Sequence, residues 1–217
     1  MTAAGRARLI VMSDTERGPI DGWLAHLQPL LAAARPGSVQ VLLRDRQLPI
    51  RERRELGERL RRATRAHGQA LAVSDRLDLA WLLEADGVHL GEDSVGASDA
   101  RAFGRAHGQS WRISTACHSP EALADLTADA ALLSPVVAPR KGNPALGLDG
   151  LRRAHLARQR RGAALGSCAL YALGGVTRHN AAELLAAGAD GVALIGELFV
   201  PGAGLELLAA LGILEPE

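Results

Sequence analysis

Short apolar runs alternate with longer amphipathic runs from one end of the chain to the other. The run ARLIVMSD is followed by WLAHLQPLLAA, whose leucines recur at helical spacing, and the same change of period then repeats. The pattern predicts eight strands, each followed by a helix. Strands are predicted at 7–14, 38–45, 70–75, 87–92, 111–118, 130–137, 169–176 and 191–199, and helices at 23–33, 51–68, 76–85, 97–108, 119–128, 150–161, 178–188 and 204–212.

The strands are nearly all apolar, which is typical of strands that are covered on both faces. Strict alternation with helices predicts a parallel sheet, and eight such units close into a (β/α)8 TIM barrel. The alternative is an open doubly wound sheet, which has fewer strands as a rule and often carries a GxGxxG turn after its first strand. The turn at that place reads SDTERGPI, so the barrel is preferred. No linker divides the chain, and we predict a single domain over residues 1–217.

Composition places the chain among ordinary globular proteins. Of its 217 residues, 47% are apolar and 23% are charged, and the formal net charge is +1. This balance argues against a nucleic-acid or membrane partner. The sequence has no apolar run long enough to span a bilayer and no convincing signal peptide. We therefore expect a cytoplasmic protein that acts on small molecules, with a homo-oligomer left open.

Lysine is almost absent from the chain. Lys141 is the only one among 25 basic residues, and the others are arginine. Such a bias usually reflects codon usage, so Lys-to-Arg exchange is expected elsewhere. The one lysine that persists is a candidate site residue.

Glycine-bearing turns follow the last two predicted strands. Gly174 and Gly175 end the seventh strand, and Ile195 and Gly196 end the eighth. In TIM barrels the active site lies at the carboxyl ends of the strands, and phosphate is often held after strands seven and eight. Glycine lets a ligand approach the backbone, whose amides bind phosphate. A single such turn would only reverse the chain, but two at the matching positions favour a phosphate site.

Charged residues gather at the other strand ends. A mixture of cations and carboxylates there predicts a diphosphate held by basic side chains and by Mg²⁺ on carboxylate oxygens. Any one of these residues could instead be a solvated loop residue. Asp75 and Asp93 end adjacent strands and are predicted to share the ion. The full set is Arg44, Asp45, Arg46, Ser74, Asp75, Arg76, His89, Glu92, Asp93, Ser94, Cys117, His118, Ser119 and Lys141.

His118 is a candidate general acid or base, the alternative being a histidine that caps a helix. Cys117 precedes it, but successive residues of a strand point to opposite faces. A Cys117–His118 nucleophile pair is therefore not expected. Ser119 and Pro120 are predicted to start the following helix, Ser119 as its cap.

Three motifs, in chain order, resemble those of the thiamin-phosphate synthase/TenI superfamily. They read ADGVHLGED (85–93), SPVVAPRKG (134–142) and ALGGVTRHNAAELLAAGADGVALIG (172–196), and the resemblance spans roughly residues 36–200. The resemblance implies a TIM barrel. It also implies a transferase that joins hydroxymethylpyrimidine diphosphate to hydroxyethylthiazole phosphate and releases diphosphate with the help of Mg²⁺. TenI members of the superfamily instead tautomerise a thiazole carboxylate phosphate.

The resemblance also implies roles for individual residues. Gly175, Ile195 and Gly196 would contact the thiazole phosphate, with Gly174 beside them. Lys141 would contact the diphosphate. Arg44 would match the arginine of a Gln-x-Arg-x-Lys motif, in which Arg46 replaces the lysine as a phosphate ligand. Asp75 would be the first magnesium ligand, and His118 a proton-transfer residue of the TenI type.

The chain departs from the synthase pattern in the pyrimidine and metal half. Leu42 replaces glutamine and cannot hydrogen-bond a pyrimidine. Ser74 replaces asparagine, and Ser94 stands at the second magnesium aspartate, with Asp93 one place earlier. Ala116 replaces a serine, and APRK replaces a threonine-bearing loop. The phosphate half is thus preserved, whereas the other half is altered.

Four functions follow from these observations. The leading one is a thiamin-phosphate synthase that uses Asp75 and Asp93 for Mg²⁺. The alternatives are a TenI-like thiazole tautomerase that uses His118 without a metal, a non-catalytic thiazole-phosphate-binding protein, and an unrelated phosphate-binding barrel such as a sugar-phosphate isomerase.

Overall fold

Eight parallel strands close into a barrel in which sequence neighbours pair and the eighth strand pairs with the first. The computed structural model describes residues 7–140, 142–161 and 165–216. The closed barrel of eight parallel strands confirms the predicted TIM barrel. The strands are β1 (Leu9–Met12), β2 (Val39–Leu43), β3 (Ala70–Ser74), β4 (Gly87–Leu90), β5 (Arg112–Cys117), β6 (Ala130–Leu133), β7 (Ala169–Leu173) and β8 (Gly191–Leu194).

Helices connect successive strands and cover the outside of the barrel. The α-helices of the described ranges are α1 (Ile20–Ala33), α2 (Ile50–Ala66), α3 (Leu77–Leu82), α4 (Ala97–Ala106), α5 (Gly147–Gln159), α6 (Ala181–Ala186) and α7 (Ala203–Ala210). Short 3-10 turns add Thr15–Arg17, Glu121–Ala124 and Gly196–Phe199. No helix in the described ranges is both long enough and apolar enough to cross a membrane.

The predicted helix at 119–128 was wrong. The connection from β5 to β6 contains only the 3-10 turn Glu121–Ala124, which buries Leu123 completely. Ser119 does not cap it, because its hydroxyl donates to the Glu121 carboxylate at 3.0 Å. Arg161 holds the turn from outside by donating to the Leu123 carbonyl at 3.0 Å. One turn therefore covers this part of the barrel before the chain returns to β6.

Strands six and eight are shorter than predicted. β6 ends at Leu133 and β8 at Leu194, and the apolar residues beyond them form a loop and a 3-10 turn. Val136 and Leu198 are nevertheless buried in those segments. An apolar run marks buried chain but does not distinguish a strand from a buried loop, which is why the prediction extended too far.

Side chains alternate between the two sides of the barrel wall. Leu9 and Val11 pack outward under the helices, whereas Ile10 and Met12 pack inward with Leu42 and the other inner residues. This period of two continues past the strand ends. It sends every second residue of each strand and its following loop toward the mouth of the barrel.

Candidate active site

Two adjoining cavities open at the carboxyl ends of the strands. The main cavity, of about 330 Å³, is lined by residues that follow β2 to β6, among them Arg44, Arg46, Asp93 and His118. The side cavity, of about 210 Å³, lies over the turns that follow β7 and β8. The two cavities share Arg140, Leu173, Gly174 and Ile195.

The turn after β7 requires glycine. Gly174 and Gly175 both have positive φ angles, +97° and +76°. A Cβ on Gly175 would lie 2.8 Å from both the backbone nitrogen and the Cβ of Ala138. The Gly174 carbonyl accepts the amide of Val137 at 2.8 Å. The loop after β6 is therefore packed directly on this turn, and neither glycine can be replaced without moving it.

Side-chain hydrogen bonds stabilise the turn after β7 and connect it to the turn after β8. Asn180 accepts the Thr177 amide and donates to the Gly175 carbonyl, each at 2.9 Å. Arg178 donates its backbone amide and its guanidinium to the Glu197 carboxylate, each at 3.0 Å. Because Glu197 belongs to the 3-10 turn after β8, this pair ties the turn of β7 to the turn of β8.

The predicted phosphate residues Gly174, Gly175, Ile195 and Gly196 all line the side cavity. In the part of the chain that the structure describes, the amides of Gly175 and Gly196 donate to no protein acceptor. Gly196 also begins the 3-10 turn that ends at Phe199. Unpaired amides at the start of a helical turn attract an anion, so this arrangement suits a phosphate group.

Asp75 is surrounded by donors on the other side of the mouth. One of its oxygens accepts the Gly91 amide at 3.0 Å and the Ser94 hydroxyl. The other accepts the Ser74 hydroxyl at 2.8 Å and lies 3.1 Å from Nε of Arg46. Burial acts to raise the pKa of Asp75, but these hydrogen bonds and the Arg46 charge outweigh it and lower the pKa below its ordinary value. Asp75 is therefore a carboxylate at neutral pH.

The same contacts test whether Asp75 suits a metal ion. A carboxylate has about four lone-pair positions, and the four donors fill them. A cation can bind only by displacing one donor, and Arg46 is the simplest to displace because its side chain is 62% exposed. Asp93 is exposed and lines the main cavity, whose lining does not include Asp75. Among the described residues no three His, Cys, Asp or Glu side chains cluster into a metal site. Asp75 could serve as a Mg²⁺ ligand only after releasing a donor, and substrate and water would have to supply most of the other ligands.

Arg44 lines the main cavity, and its Nη1 lies 3.8 Å from the Asp14 carboxylate. Asp45 points the other way and is buried. It accepts the amide and the hydroxyl of Thr15, at 2.7 and 2.9 Å, and the Ser13 hydroxyl. Burial acts to raise the pKa of Asp45, but these hydrogen bonds lower it overall. Asp45 therefore anchors the loop after β1 and is not free to contact substrate.

His118 lies in the main cavity and Cys117 does not. Nδ1 of His118 donates to the Ser134 carbonyl at 2.6 Å, and Nε2 faces the Glu92 carboxylate at 3.4 Å. Cys117 packs on the helix side of the barrel, where burial raises the pKa of its thiol to about 11. The two side chains point to opposite faces, as the alternation predicted.

His89 contributes a neutral polar group to the main cavity. Burial lowers its pKa to about 4, and its Nδ1 is 3.0 Å from the Ser114 hydroxyl. Leu42 and Ala116 line the cavity beside it. This part of the cavity is therefore uncharged and suits an aromatic heterocycle.

Lys141 lies outside the described residues. Its neighbour Arg140 lines both cavities, and the backbone of Arg140 is paired with that of Asn143 in both directions at 3.0 Å. The sequence did not mark Arg140 as a site residue.

Sequence reasoning also missed Arg17, which follows β1 and lines the side cavity. Charged residues at strand ends mark the mouth of the barrel, and Arg17 is such a residue after the end of strand one. The sequence gives no comparable indication for Glu197, Arg178 and Asn180, because the groups that they bind lie in another turn or in the backbone.

The chain is thus a TIM barrel whose glycine turns adjoin a cavity lined by charged side chains. A family model described as thiamine monophosphate synthase (TMP-TENI) matches residues 18–198. The thiamine-phosphate synthase of Natronomonas pharaonis is 39% identical over 177 residues, covering 77% of this chain and 77% of that protein. The thiamine-phosphate synthase of Moorella thermoacetica is 33% identical over 191 residues, covering 86% and 85%. The chain belongs to the thiamine monophosphate synthase/TenI family, as the motifs indicated.

A solved structure agrees with this assignment. The thiamine phosphate pyrophosphorylase from Pyrococcus furiosus superposes with a TM-score of 0.77 at 26% identity, covering 94% of this chain and 95% of that one. The pyrophosphorylase from Bacteroides thetaiotaomicron shares only the fold, with a TM-score of 0.56 at 16% identity.

Proposed function

We propose that this protein is a thiamin-phosphate synthase, a transferase that joins hydroxymethylpyrimidine diphosphate to hydroxyethylthiazole phosphate. The observation that carries the proposal is the pair of adjoining cavities. One offers unpaired backbone amides at Gly175 and Gly196, and the other offers Arg44 and Arg46, of which Arg46 pairs with Asp75. Two substrates, each with its own phosphate group, match two cavities that meet at Gly174.

Each cavity has a separate task in this reaction. The glycine turns hold the thiazole phosphate, so that the thiazole ring extends into the main cavity. Leu42, Ala116 and neutral His89 line the place for the pyrimidine ring. Arg44 and Arg46 lie where the diphosphate would be held. Binding both substrates in one mouth makes the reaction effectively unimolecular.

The reaction breaks the bond between the pyrimidine methylene carbon and the diphosphate oxygen, which keeps the electron pair. The lone pair of the thiazole nitrogen then forms the new carbon–nitrogen bond. Negative charge develops on the departing diphosphate, so cations fixed beside it lower the barrier. Arg44, Arg46 and Lys141 are the residues proposed for this role.

Asp75 and Asp93 are the residues that we propose would hold Mg²⁺. When bound, it would neutralise the charge of the leaving diphosphate. Mg²⁺ commonly takes one or two carboxylates and completes its shell with substrate phosphates and water. Asp75 must first exchange one of its donors, and the exposed Arg46 is then free to contact the diphosphate. The small-molecule partners and the cytoplasmic location remain part of this proposal.

A condensation assay tests the proposal. Purified protein is mixed with both substrates and Mg²⁺, and thiamin phosphate and diphosphate are quantified by chromatography. Asp75→Ala should abolish turnover. Asp78→Ala is the matched control, because Asp78 is an exposed carboxylate near Asp75 that pairs only with Arg76 among the described residues. If wild-type protein binds thiazole phosphate but yields no thiamin phosphate with or without Mg²⁺, it is not a synthase.

A thiazole tautomerase is the second candidate, favoured by one observation. The Ser134 carbonyl fixes Nδ1–H of His118, which leaves Nε2 directed at Glu92 in the cavity and able to move a proton. The same preparation is therefore assayed with the thiazole carboxylate phosphate. Tautomerisation that His118→Gln abolishes, without condensation in the first assay, would replace the synthase proposal. Thiazole-phosphate binding without either activity would indicate a non-catalytic binding protein.

A further inference from the structure

We propose that Arg17 and Arg140 complete the thiazole-phosphate site as a pair of cations facing its backbone amides. The inference rests on the proposed function for the identity of the phosphate ester. The glycine turns supply neutral N–H donors, whereas a phosphate monoester carries up to two negative charges. The geometry of the side cavity points to these two arginines as the groups that balance the negative charges of the phosphate.

Arg17 lies directly over the turn after β8. Its Nη1 would be 3.1 Å from a Cβ placed on Gly196, so the guanidinium rests against this glycine. Its Nε, on the other edge, pairs with the Asp14 carboxylate at 3.3 Å. Nε is thus paired within the protein, while the guanidinium lies against Gly196 in the lining of the side cavity. A side chain at position 196 would push the guanidinium away.

The position of Arg17 is built into the fold. Arg17 ends the 3-10 turn Thr15–Arg17, and the Asp14 carboxylate caps this turn by accepting the Glu16 amide at 3.2 Å. Buried Asp45 holds the preceding residues through Thr15. The backbone that carries Arg17 is therefore anchored from β2, and little conformational freedom is lost when a ligand binds.

Arg17 shares its charge with Asp14, which does not line the side cavity, and neither arginine pairs with the acidic residue that does. Glu197 also lines the cavity and would repel a phosphate. Its side chain is only 9% exposed, however, and Arg178 pairs with it at 3.0 Å. Within the described residues, Arg17 and Arg140 are thus the cations of this cavity whose charge is not used by Glu197.

Arg140 differs from Arg17 because it lines both cavities. It lies on the loop after β6, between the place of the thiazole phosphate and the place of the diphosphate. Arg140 is therefore expected to contribute to the binding of both substrates. Arg17 lines only the side cavity and is expected to affect one substrate.

Calorimetry with two ligands tests the role of Arg17. Hydroxyethylthiazole phosphate and unphosphorylated hydroxyethylthiazole are titrated separately, without the pyrimidine substrate. Arg17→Gln should weaken binding of the phosphate ester at least about tenfold, as expected for losing a charge-assisted hydrogen bond. Binding of the alcohol should not change. Arg17→Lys should restore part of the affinity.

Arg152→Gln is the matched control. Arg152 pairs with Asp149 three residues earlier, as Arg17 does with Asp14, and the two side chains are 57% and 54% exposed. Arg152 lies on α5, away from both cavities. Equal affinities in Arg17→Gln and Arg152→Gln would overturn the proposal. Equal loss for the ester and the alcohol would also overturn it, because it would show a structural effect.

Steady-state kinetics distinguish the role of Arg17 from that of Arg140. They also distinguish this inference from the proposed function. Arg17→Gln should raise KM for the thiazole phosphate alone, whereas Arg140→Gln should raise KM for both substrates. If the wild type makes no thiamin phosphate but binds the ester through Arg17, the inference stands and the synthase proposal fails. If the wild type binds no thiazole phosphate, the inference itself fails.

Discussion

The two halves of the mouth, the side cavity and the main cavity, are built from different kinds of polar group. The side cavity presents the backbone amides of Gly175 and Gly196, and Gly175 has a φ of +76°, which favours glycine. The main cavity presents charged side chains, among them Arg46, which pairs with Asp75. Asp75 accepts four donors in all.

This difference explains which half departs from the family pattern. A backbone site depends on chain geometry, so most side-chain changes around it leave the amides in place. A side-chain site depends on the identity of each residue. Asp75 accepts the hydroxyls of Ser74 and Ser94 and pairs with Arg46, so these four side chains form one network. The phosphate side is therefore the part that sequence motifs detect most easily.

The largest expected effect comes from breaking the backbone site. In Gly175→Val, the new side chain would contact Ala138 and adopt a φ of +76°, which favours glycine. The strain should cost about 1–3 kcal/mol of unfolding free energy. Affinity for thiazole phosphate should fall by about 100-fold as the amide moves, in line with the loss of a hydrogen bond to a charged group. Calorimetry and denaturant unfolding measure both quantities. Gly108→Ala, at φ +71° with no atom near its Cβ, controls for backbone strain alone.

Asp75→Asn tests the charged side chains of the main cavity. It is expected to lower turnover but to leave thiazole-phosphate affinity nearly unchanged. The amide keeps the shape of the carboxylate but loses its charge, so the Arg46 pair and the proposed Mg²⁺ ligand disappear. Steady-state turnover should fall by about 100-fold, the scale of losing one electrostatic contact to developing charge. Calorimetric affinity for thiazole phosphate should remain within about twofold of wild type, well below the tenfold change that 1.4 kcal/mol produces. Loss of thiazole-phosphate binding would show that the halves are not independent.

Asp45→Asn tests the link between the halves, because Asp45 follows β2 but anchors the loop that carries Arg17. Removing the charge of this buried group, which has four donors including Nε2 of Gln47 at 3.3 Å, should cost about 1–3 kcal/mol of stability. The folded-state pKa of Asp45 is lowered, so its contribution is present above its unfolded value of 3.8 and is lost as pH falls through the folded value. The stability difference between wild type and variant should therefore begin to shrink as pH falls below about 4. Urea unfolding at pH 7 and at pH 3 measures this, and an equal difference at both pH values would contradict it.

The smallest effect is expected for Arg46→Gln. Removing the guanidinium frees one lone-pair position of Asp75, so a divalent cation should bind the substrate-free protein more tightly, by about two- to fivefold for one weak ion pair. Electron paramagnetic resonance of free Mn²⁺ measures this without any catalysis. Arg76→Gln is the control, because Arg76 pairs with Asp78 and not with Asp75. Unchanged or weaker Mn²⁺ binding would show that Arg46 does not compete with the metal ion.

The sequence by itself determined the barrel and the glycine turns that follow its last two strands. Apolar runs at regular intervals define eight strands, and glycines at the last two strand ends mark places where backbone must be accessible. These properties are local, so they can be detected within a few residues. Local patterns also failed in a recognisable way, since Leu123, Val136 and Leu198 are buried in a loop and in 3-10 turns rather than in the predicted helix and strands.

Only the tertiary structure decided which charged residues act together. Asp45 and Asp75 are both carboxylates after strands, yet one anchors the β1 loop and the other faces the mouth. Arg17 and Gly196 are far apart in sequence and meet because β8 pairs with β1. Closure of the barrel brings the first and last strand ends together. Contacts of this kind depend on the closed geometry of the whole sheet, and no short segment of the chain contains that information.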